Sequence, residues 1–294
     1  MSQIPSYVWL TLAASLLHAF TFAYSKQFLA HSQNRVKLAF YSQYAVGLLG
    51  MLLLPFVGVD NFIDNIGLIV TMGVFVMIGQ VAYLNALRHG DASFVVPMLG
   101  LKMFVVAGFS AFIFSETYGP MVYLGAFGVF VSLFFLNDGK LHGSSRALLF
   151  VLLTCLMFGA ADITVMALLR NGVQGFQIAA YVFAIPTMVM MPLSPILFKN
   201  DWKVSAPLAK TLAIYGSVHL CGVVLLMLAF VQSQQVTLIN ILQSSRGLMS
   251  IGVIYLMARI GFSEIEHLTH RQLTIRGFGG ALMFGSLVLA VVAR

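Results

Sequence analysis

The sequence is poor in charge and in cysteine. Only 9% of its 294 residues are charged, whereas an ordinary soluble domain carries about a quarter, so we do not expect a soluble protein. The two cysteines, Cys155 and Cys221, lie inside apolar runs and are typical of small buried apolar side chains. HExxH and GxSxG sequences, glycine-rich phosphate loops and metal-ligand spacings are also missing, so we predict no enzyme, no cofactor and no metal site.

Apolar runs recur along the whole length of the chain. Each run is long enough to cross a hydrocarbon core of about 30 Å as a helix, and the period-two alternation of a membrane barrel is absent. We predict an all-α polytopic membrane protein whose ten transmembrane helices span residues 6–26, 36–57, 63–87, 92–115, 118–137, 146–169, 174–198, 208–232, 236–258 and 272–293. The loops between them are short.

The loop cations are concentrated on one side of the predicted bundle. The even-numbered loops and the termini hold only Arg170 and Arg294. The odd-numbered loops hold Lys26, Arg35, Lys37, Arg88, Lys140, Arg146, Lys199, Lys203, Lys210, Arg259, Arg271 and Arg276. The positive-inside rule therefore places the odd loops in the cytoplasm and both termini outside it.

The net charge of +7 thus indicates orientation rather than nucleic-acid binding. The absence of N-x-S/T sequons and of long loops favours a bacterial inner membrane.

Two cations, Lys102 and Arg246, lie within predicted spans instead of loops. The stretches "GDASFVVPMLGLKMF" and "QQVTLINILQSSRGL" align without a gap at an offset of 144, which places Lys102 on Arg246. "HAFTFAYSK" of the first span likewise aligns with "FGAADITVM" of the sixth, and "YLGAFG" of the fifth with "IRGFGG" of the tenth.

These alignments predict two five-helix halves, residues 1–138 and 146–294, joined by a linker at 139–145. Because five is odd, the second half enters the bilayer from the opposite side. The halves are then inverted repeats, and residues near the midplane can meet at a central cavity.

A charge at the centre of a membrane helix costs roughly 2.5 to 3.5 kcal/mol on insertion scales. Asp162 is the only carboxylate well inside a predicted span, and one carboxylate cannot neutralise both Lys102 and Arg246. We therefore predict an anion-attracting site formed by these two cations. The alternative is that structural partners neutralise each of them.

Further polar residues fall at a similar depth in other spans. We predict that Gln80, Tyr83 and Gln243 orient the ligand, although helix-to-helix hydrogen bonds would use the same residue types. A second group of residues consists of Asp162, His18 and His219. These residues could form an ion pair or couple transport to protons, because burial can bring their titration into the physiological range.

Small residues and prolines mark particular helices. Gly277, Ala281 and Gly285 form a stripe on the tenth span that suits either internal packing or a homodimer face. Pro97 is expected to kink the fourth span, and three prolines should do the same to the seventh: Pro186, Pro192 and Pro195.

Several motifs resemble one known superfamily. They are "FAYSK", "ALRHGDASFVVP" and "FSETYGPMVYLGAFGVFVS" in the first half, and "LAFVQSQQVTLIN" and "FSEIEHLTHRQLTIRGFGGALMFG" in the second. The chain is similar in these motifs to the drug/metabolite transporter superfamily, with two EamA-type halves. The resemblance implies ten helices in two inverted bundles, a central cavity and alternating access.

The chain departs from this superfamily in two respects. Members usually keep both termini in the cytoplasm, the reverse of the orientation that the charges predict. Small relatives that expel cationic drugs use a Glu in their first helix, where this chain has His18. Relatives that move phosphorylated sugars and nucleotide sugars carry basic residues similar to Arg246, so the resemblance favours an anionic substrate.

We therefore predict a secondary transporter that moves a small anionic polar metabolite bearing a phosphate, phosphonate or carboxylate. The alternatives are an exporter of amino acids or other zwitterions, in which Asp162 holds the amine, and a flippase for a phosphate-bearing lipid. The expected partners are the small-molecule substrate and the lipid bilayer.

Overall fold

The computed structural model describes residues 4–58, 61, 63–115, 117, 119–136, 145–262 and 269–292. These residues form helices, turns and short connections, with no strand among them. The α-helices are α1 Ser6–Tyr24, α2 Arg35–Met51, α3 Ile66–His89, α4 Ala92–Met98, α5 Lys102–Phe114, α6 Pro120–Leu136, α7 Ser145–Arg170, α8 Gly175–Met190, α9 Ser194–Phe198, α10 Ala206–Ser233, α11 Val236–Gln243, α12 Arg246–Ile260 and α13 His270–Val292. The predicted linker lies outside the described residues except for Ser145, and the division into 1–138 and 146–294 stays a prediction.

Apolar helical segments long enough to cross a membrane account for eight of the predicted spans. They are Ser6–Ala30, Arg35–Phe56, Ile63–His89, Ala92–Phe114, Ser145–Arg170, Gly175–Asp201, Ala206–Ser233 and Val236–Ile260. The fifth and tenth spans form shorter apolar helices, Pro120–Leu136 and Thr274–Leu289. The predicted class, an all-α polytopic membrane protein, is confirmed.

The fourth span is broken at its centre. Helix α4 ends at Met98, directly after Pro97, and a 3-10 turn over Leu99–Leu101 follows. Pro97 has no N–H to donate to the preceding turn, which weakens the helix at this point. Helix α5 then begins at Lys102. The kink predicted from Pro97 is confirmed, and it forms a break that places Lys102 at a helix start.

The ninth span is broken at the equivalent position, although it contains no proline. Helix α11 ends at Gln243, and α12 begins at Arg246. Between them, the Ser244 hydroxyl donates to the carbonyl of Ile241 at 2.5 Å, a local bond that competes with regular helical hydrogen bonding. Both buried cations therefore begin the second segment of a broken helix.

The seventh span also ends irregularly. Pro192 lies in the 3-10 turn that separates α8 from α9, and Pro195 lies in the first turn of α9. Pro186 stays within α8. The predicted effect of prolines on this span is confirmed at Pro192 and Pro195.

The helix contacts occur in pairs that are related by exchange of the two halves. Helix α1 packs on α10 as α3 packs on α7, α5 packs on α7 as α12 packs on α1, and α4 packs on α12 as α11 packs on α5. The equivalent helices α2 and α8 pack on each other, as do α6 and α13. This is the pattern that the predicted inverted repeats require.

Equivalent residues meet where the two halves touch. A Cβ atom on Gly100 would lie 3.6 Å from the Cβ of Ser244, and these positions correspond at the offset of 144. In α10, Gly222 makes room for the ring of His18, whose Nε2 would lie 2.7 Å from an added Cβ. In α3, Gly79 makes room for Phe158 in the same way. His18 and Phe158 are equivalent in the alignment, so the two packing sites correspond.

Candidate functional site

A cavity of about 90 Å³ lies at the centre of the bundle, between the two halves. This is room for several water molecules, but it is below the roughly 300 Å³ at which pockets for drug-sized ligands begin. The polar lining residues are His18, Gln43, Gln80, Lys102, Asp162, His219, Gln243 and Arg246. The apolar ones are Phe22, Met72, Val76, Phe158, Ala161, Val165, Phe183, Val223, Leu226 and Met227.

Tyr83 is the one predicted site residue that lies outside this lining. Its ring is fully buried and its hydroxyl donates to the backbone carbonyl of Phe22. Gln80, three residues earlier, lines the cavity and donates to the Ser42 hydroxyl at 3.2 Å. Side chains three residues apart on a helix differ by about 60° in direction, and only the earlier one reaches this narrow cavity. The other predicted residues come together around it.

Lys102 is held by two partners from the second half of the chain. Its Nζ donates to Asp162 Oδ2 at 2.6 Å and to Gln243 Oε1 at 2.7 Å. Lys102 and Asp162 are both almost completely buried, at 6% and 8% exposure. The charge of Lys102 is therefore balanced by the one carboxylate of the cavity, and the pair links the two halves.

Arg246 has a different environment, although it is equivalent to Lys102. Its guanidinium carbon lies 4.7 Å from the centre of the Phe22 ring. Among the described residues, the guanidinium group of Arg246 takes part in no ion pair or hydrogen bond. A cation over an aromatic face is stabilised by roughly 0.5 to 2 kcal/mol, but the ring leaves the net charge in place.

Phe22 also occupies the position equivalent to Asp162 in the alignment of "HAFTFAYSK" with "FGAADITVM". One cation of the repeated pair therefore faces a carboxylate, whereas the other faces a ring. The two equivalent sites differ by one full negative charge.

Two histidines lie beside this aromatic contact. The His18 and His219 ring centres are 5.0 Å apart, and His219 stacks on Tyr215 at 5.0 Å. Nδ1 of His219 lies 3.3 Å from the Thr21 hydroxyl. Both ring nitrogens of His18 and the Oε1 atom of Gln43 are buried without a hydrogen-bond partner. Buried polar atoms are usually hydrogen-bonded, so these atoms are available to a ligand or water.

Sequence reasoning missed two lining residues that bear on the chemistry. Gln43 is a polar residue in the second span and meets the criterion that selected Gln80. Phe22 carries no polar signal, and only its equivalence to Asp162 in the repeat alignment points to it. Within the part of the chain that the structure describes, no three His, Cys, Asp or Glu residues lie close enough together to hold a metal ion.

Contacts join the two halves at the end of the bundle that carries the α1–α2 connection and the other odd-numbered loops. We refer to it as the odd-loop end. Lys37 Nζ contacts Asp201 Oδ1 at 2.9 Å. The rings of Tyr24 and Phe262 lie 5.8 Å apart, edge to face. Each pair joins one half to the other at this end of the bundle.

The halves are also joined at the opposite end, the even-loop end. Asn171 donates to Asn65 Oδ1 at 2.7 Å. The guanidinium of Arg170 lies 3.9 Å from the centre of the Phe114 ring. The cavity is thus placed between two layers of contacts that join the halves.

Residues 5–138 match the model of the EamA-like transporter family. The match confirms the resemblance to EamA-like transporters. The matched model is that of a family of transporters. No curated protein matches the sequence.

One protein of known crystal structure is similar to this chain with a TM-score of 0.67 and 19% identity, covering 99% of this chain and 100% of that chain. At this identity the likeness shows the fold alone, and it extends over both halves. The apolar helices of the described residues make this chain an integral, multi-pass membrane protein, and its fold recurs in a solved structure.

Proposed function

We propose that this protein is a secondary transporter for a small anionic metabolite and that Arg246 binds the anionic group. The observation that carries the proposal is the charge balance of the cavity. Asp162 balances Lys102, and Arg246 lacks a carboxylate partner within the described residues. With the histidines neutral, the cavity carries one positive charge. An unpaired charge in a low-dielectric interior is costly, and a bound anion would remove that cost.

The side chains around Arg246 suit a planar or tetrahedral oxyanion. A guanidinium can donate two parallel hydrogen bonds to two oxygens of a carboxylate or phosphate. In the same cavity, one ring nitrogen of a neutral His18 can donate to the oxyanion. The unpartnered Oε1 atom of Gln43 only accepts, and the Gln80 amide already donates to Ser42. Gln243 acts through its hydrogen bond to Lys102.

The two layers of contacts between the halves support the proposal of alternating access. The Lys37–Asp201 contact at the odd-loop end and the Asn65–Asn171 contact at the even-loop end can break in turn while the cavity stays central. Transporters built from inverted repeats move in this way around a fixed site. Energy would come from a gradient, and we retain the proposal that Asp162, His18 or His219 couples proton movement to transport.

The engagement of Asp162 distinguishes this proposal from a zwitterion exporter. A zwitterion needs a carboxylate partner for its ammonium group, and Asp162 lies 2.6 Å from Lys102. This observation favours an anion over an amino acid. A flippase for a phosphate-bearing lipid would use Arg246 on a lipid headgroup, so the test below includes a short-chain phosphatidate.

The first test is thermal stabilisation of the purified protein by phosphates, phosphonates, carboxylates, amino acids, cationic drugs and the short-chain phosphatidate. We expect soluble anions to raise the Tm of the wild type. Arg246→Gln should weaken their binding by about tenfold to a hundredfold, since a hydrogen bond to a charged group contributes about 1.5 to 3 kcal/mol.

Arg259→Gln provides the matched control, because Arg259 lies in the same helix but is exposed at its far end. This variant should respond to anions as the wild type does. Stabilisation by cationic drugs alone, or an unchanged anion response in Arg246→Gln, would contradict the proposal. Uptake of the stabilising anion into proteoliposomes then separates a carrier from a binding protein.

A further inference from the structure

The cavity is polar at its centre and apolar towards the even-loop end. Along α3, Gln80 lies at the polar centre, and Val76 and Met72 follow one and two turns closer to the even-loop end. Helix α7 runs in the opposite direction to α3, and Asp162 is followed by Val165 towards the same end.

Helix α10 repeats this gradient. After His219, the cavity is lined by Val223, Leu226 and Met227, which approach the even-loop end. We refer to the part of the cavity lined by Met72, Val76, Val165, Val223, Leu226 and Met227 as the apolar extension. None of these six side chains can donate a hydrogen bond.

The unpartnered polar atoms lie in the centre instead. The two ring nitrogens of His18 and Oε1 of Gln43 have no hydrogen-bond partner, and these residues are only 4% and 3% exposed. Arg246 and the donor nitrogen of a neutral His18 ring form a polar head site for an anion beside an apolar wall, whereas Gln43 Oε1 can only accept a hydrogen bond. A ligand that fits both regions has a polar anionic end and an apolar body.

We infer that the transported anion is a monocarboxylate with a compact apolar body and without an amine. The inference rests on the proposed function, in which Arg246 binds the anion. A single negative charge neutralises the cavity, whereas a phosphate monoester carries about −1.5 to −2 at pH 7 and would leave it negative. An ammonium group would have to displace Lys102 from Asp162.

The apolar wall and the small volume of the cavity limit which organic acids fit it. Sugar hydroxyls placed against the apolar extension would lose their hydrogen bonds to water and gain none in return. The volume of about 90 Å³ favours a body of a few carbon atoms. Branched or short unbranched acyl groups satisfy both conditions.

The test uses four ligands, of which leucine and 4-methylpentanamide each differ from 4-methylpentanoate in one property. 4-Methylpentanoate has the predicted chemistry, leucine adds an amine to the same carbon body, and 4-methylpentanamide removes the charge. Glycerol 3-phosphate replaces the apolar body and the carboxylate together. We expect 4-methylpentanoate to bind wild type at least about tenfold more tightly than each of the others, a factor accessible to one lost polar contact.

The outcomes separate this inference from the proposed function. If glycerol 3-phosphate stabilises the protein through Arg246 and 4-methylpentanoate does not, the inference is overturned and the anion site stands. Equal binding of leucine or of the amide also overturns it. If Arg246→Gln leaves the stabilisation by both anions unchanged, both the inference and the proposed function fail.

One substitution tests the apolar extension directly. Val223→Thr keeps the shape of the side chain but adds a hydroxyl to the wall of the extension. We expect 4-methylpentanoate to bind severalfold more weakly to this variant, while the weaker binding of acetate, which has only a methyl group as its apolar body, changes less. An unaltered affinity for 4-methylpentanoate would overturn the placement of the apolar body.

Discussion

One neighbouring residue determines how much net charge remains at each of the two buried cations. Lys102 and Arg246 are equivalent in the repeat and begin equivalent helix segments, but Asp162 faces the first and Phe22 faces the second. A carboxylate balances its cation and leaves no net charge for a ligand. An aromatic ring holds its cation in position and leaves the charge in place. In the proposed function, the residues at positions 162 and 22 therefore determine which of the two cations binds the ligand.

Phe22→Asp should convert the second site into a copy of the first. We expect the new carboxylate to pair with Arg246, as Asp162 pairs with Lys102, and to lower anion affinity about tenfold or more through loss of the charged contact. Phe22→Leu is the control, because it removes the ring without adding charge and should keep the anion response. Ligand-induced changes in Tm measure both variants, and an undiminished anion response in Phe22→Asp would refute this account of the site.

Sequence reasoning identified polar lining residues well because polar side chains are rare in apolar spans. It could not decide the direction of each side chain. Gln80 and Tyr83 differ by three positions, and only the structure shows that the Tyr83 hydroxyl bonds to a backbone carbonyl. Phe22 was missed because an aromatic residue in an apolar helix gives no signal of its own. The roles of all these residues in binding stay predictions.

At the scale of the elements, the breaks in the fourth and ninth spans were not equally predictable. Pro97 marks the first, because proline lacks the N–H that a helix requires. The second lies at Ser244 and Ser245, which are common in uninterrupted membrane helices. The break coincides with the bond from the Ser244 hydroxyl to the Ile241 carbonyl, a side-chain choice that hydropathy does not register. Hydropathy alone gives one continuous span in each case.

Close packing between helices depends on glycines at particular points. A Cβ on Gly79 would lie 2.5 Å from Phe158 Cε1, so Gly79→Ala should displace that ring and destabilise the protein by about 1 to 3 kcal/mol. Gly108→Ala is the control, since nothing lies within 4 Å of an added Cβ there, and it should be neutral or stabilising by up to about 1 kcal/mol. Thermal unfolding in detergent measures both. Equal effects in the two variants would contradict the packing argument.

At the scale of the whole molecule, the charge distribution predicts that the odd-loop end faces the cytoplasm. The contacts of the fold are compatible with either orientation, and superfamily members usually keep both termini in the cytoplasm. The predicted orientation, with both termini outside the cytoplasm, therefore stays a prediction, as does the assignment to a bacterial inner membrane.

Cysteine labelling tests this orientation. In a background with Cys155→Ser and Cys221→Ser, a single cysteine is introduced by Asn171→Cys at the even-loop end or by Lys203→Cys at the odd-loop end; both positions are exposed. A thiol reagent that cannot cross membranes should label Asn171→Cys in intact cells and Lys203→Cys only after permeabilisation. The opposite pattern would place both termini in the cytoplasm.

The small-residue stripe on α13 faces away from the bundle. Gly277, Ala281 and Gly285 are exposed, and nothing lies within 4 Å of a Cβ added at either glycine. Helix α13 instead approaches α6 through Gly279, where an added Cβ would lie 2.9 Å from the backbone nitrogen of Leu136. The sequence left two roles open for this stripe. The described residues do not use it for internal packing, and its role as a homodimer face stays a prediction.

The contact between Gly100 and Ser244 has a consequence for what a single chain makes possible. An assembly of two identical five-helix chains would place the same residue on both sides of this contact and the same partner beside both cations. Its two cations would then be both balanced or both open. Joining the halves in one polypeptide allows Asp162 to balance one cation while its equivalent has no carboxylate partner among the described residues, as the proposed anion site requires. Covalent linkage thus permits two equivalent cations to have different partners, which a symmetric dimer excludes.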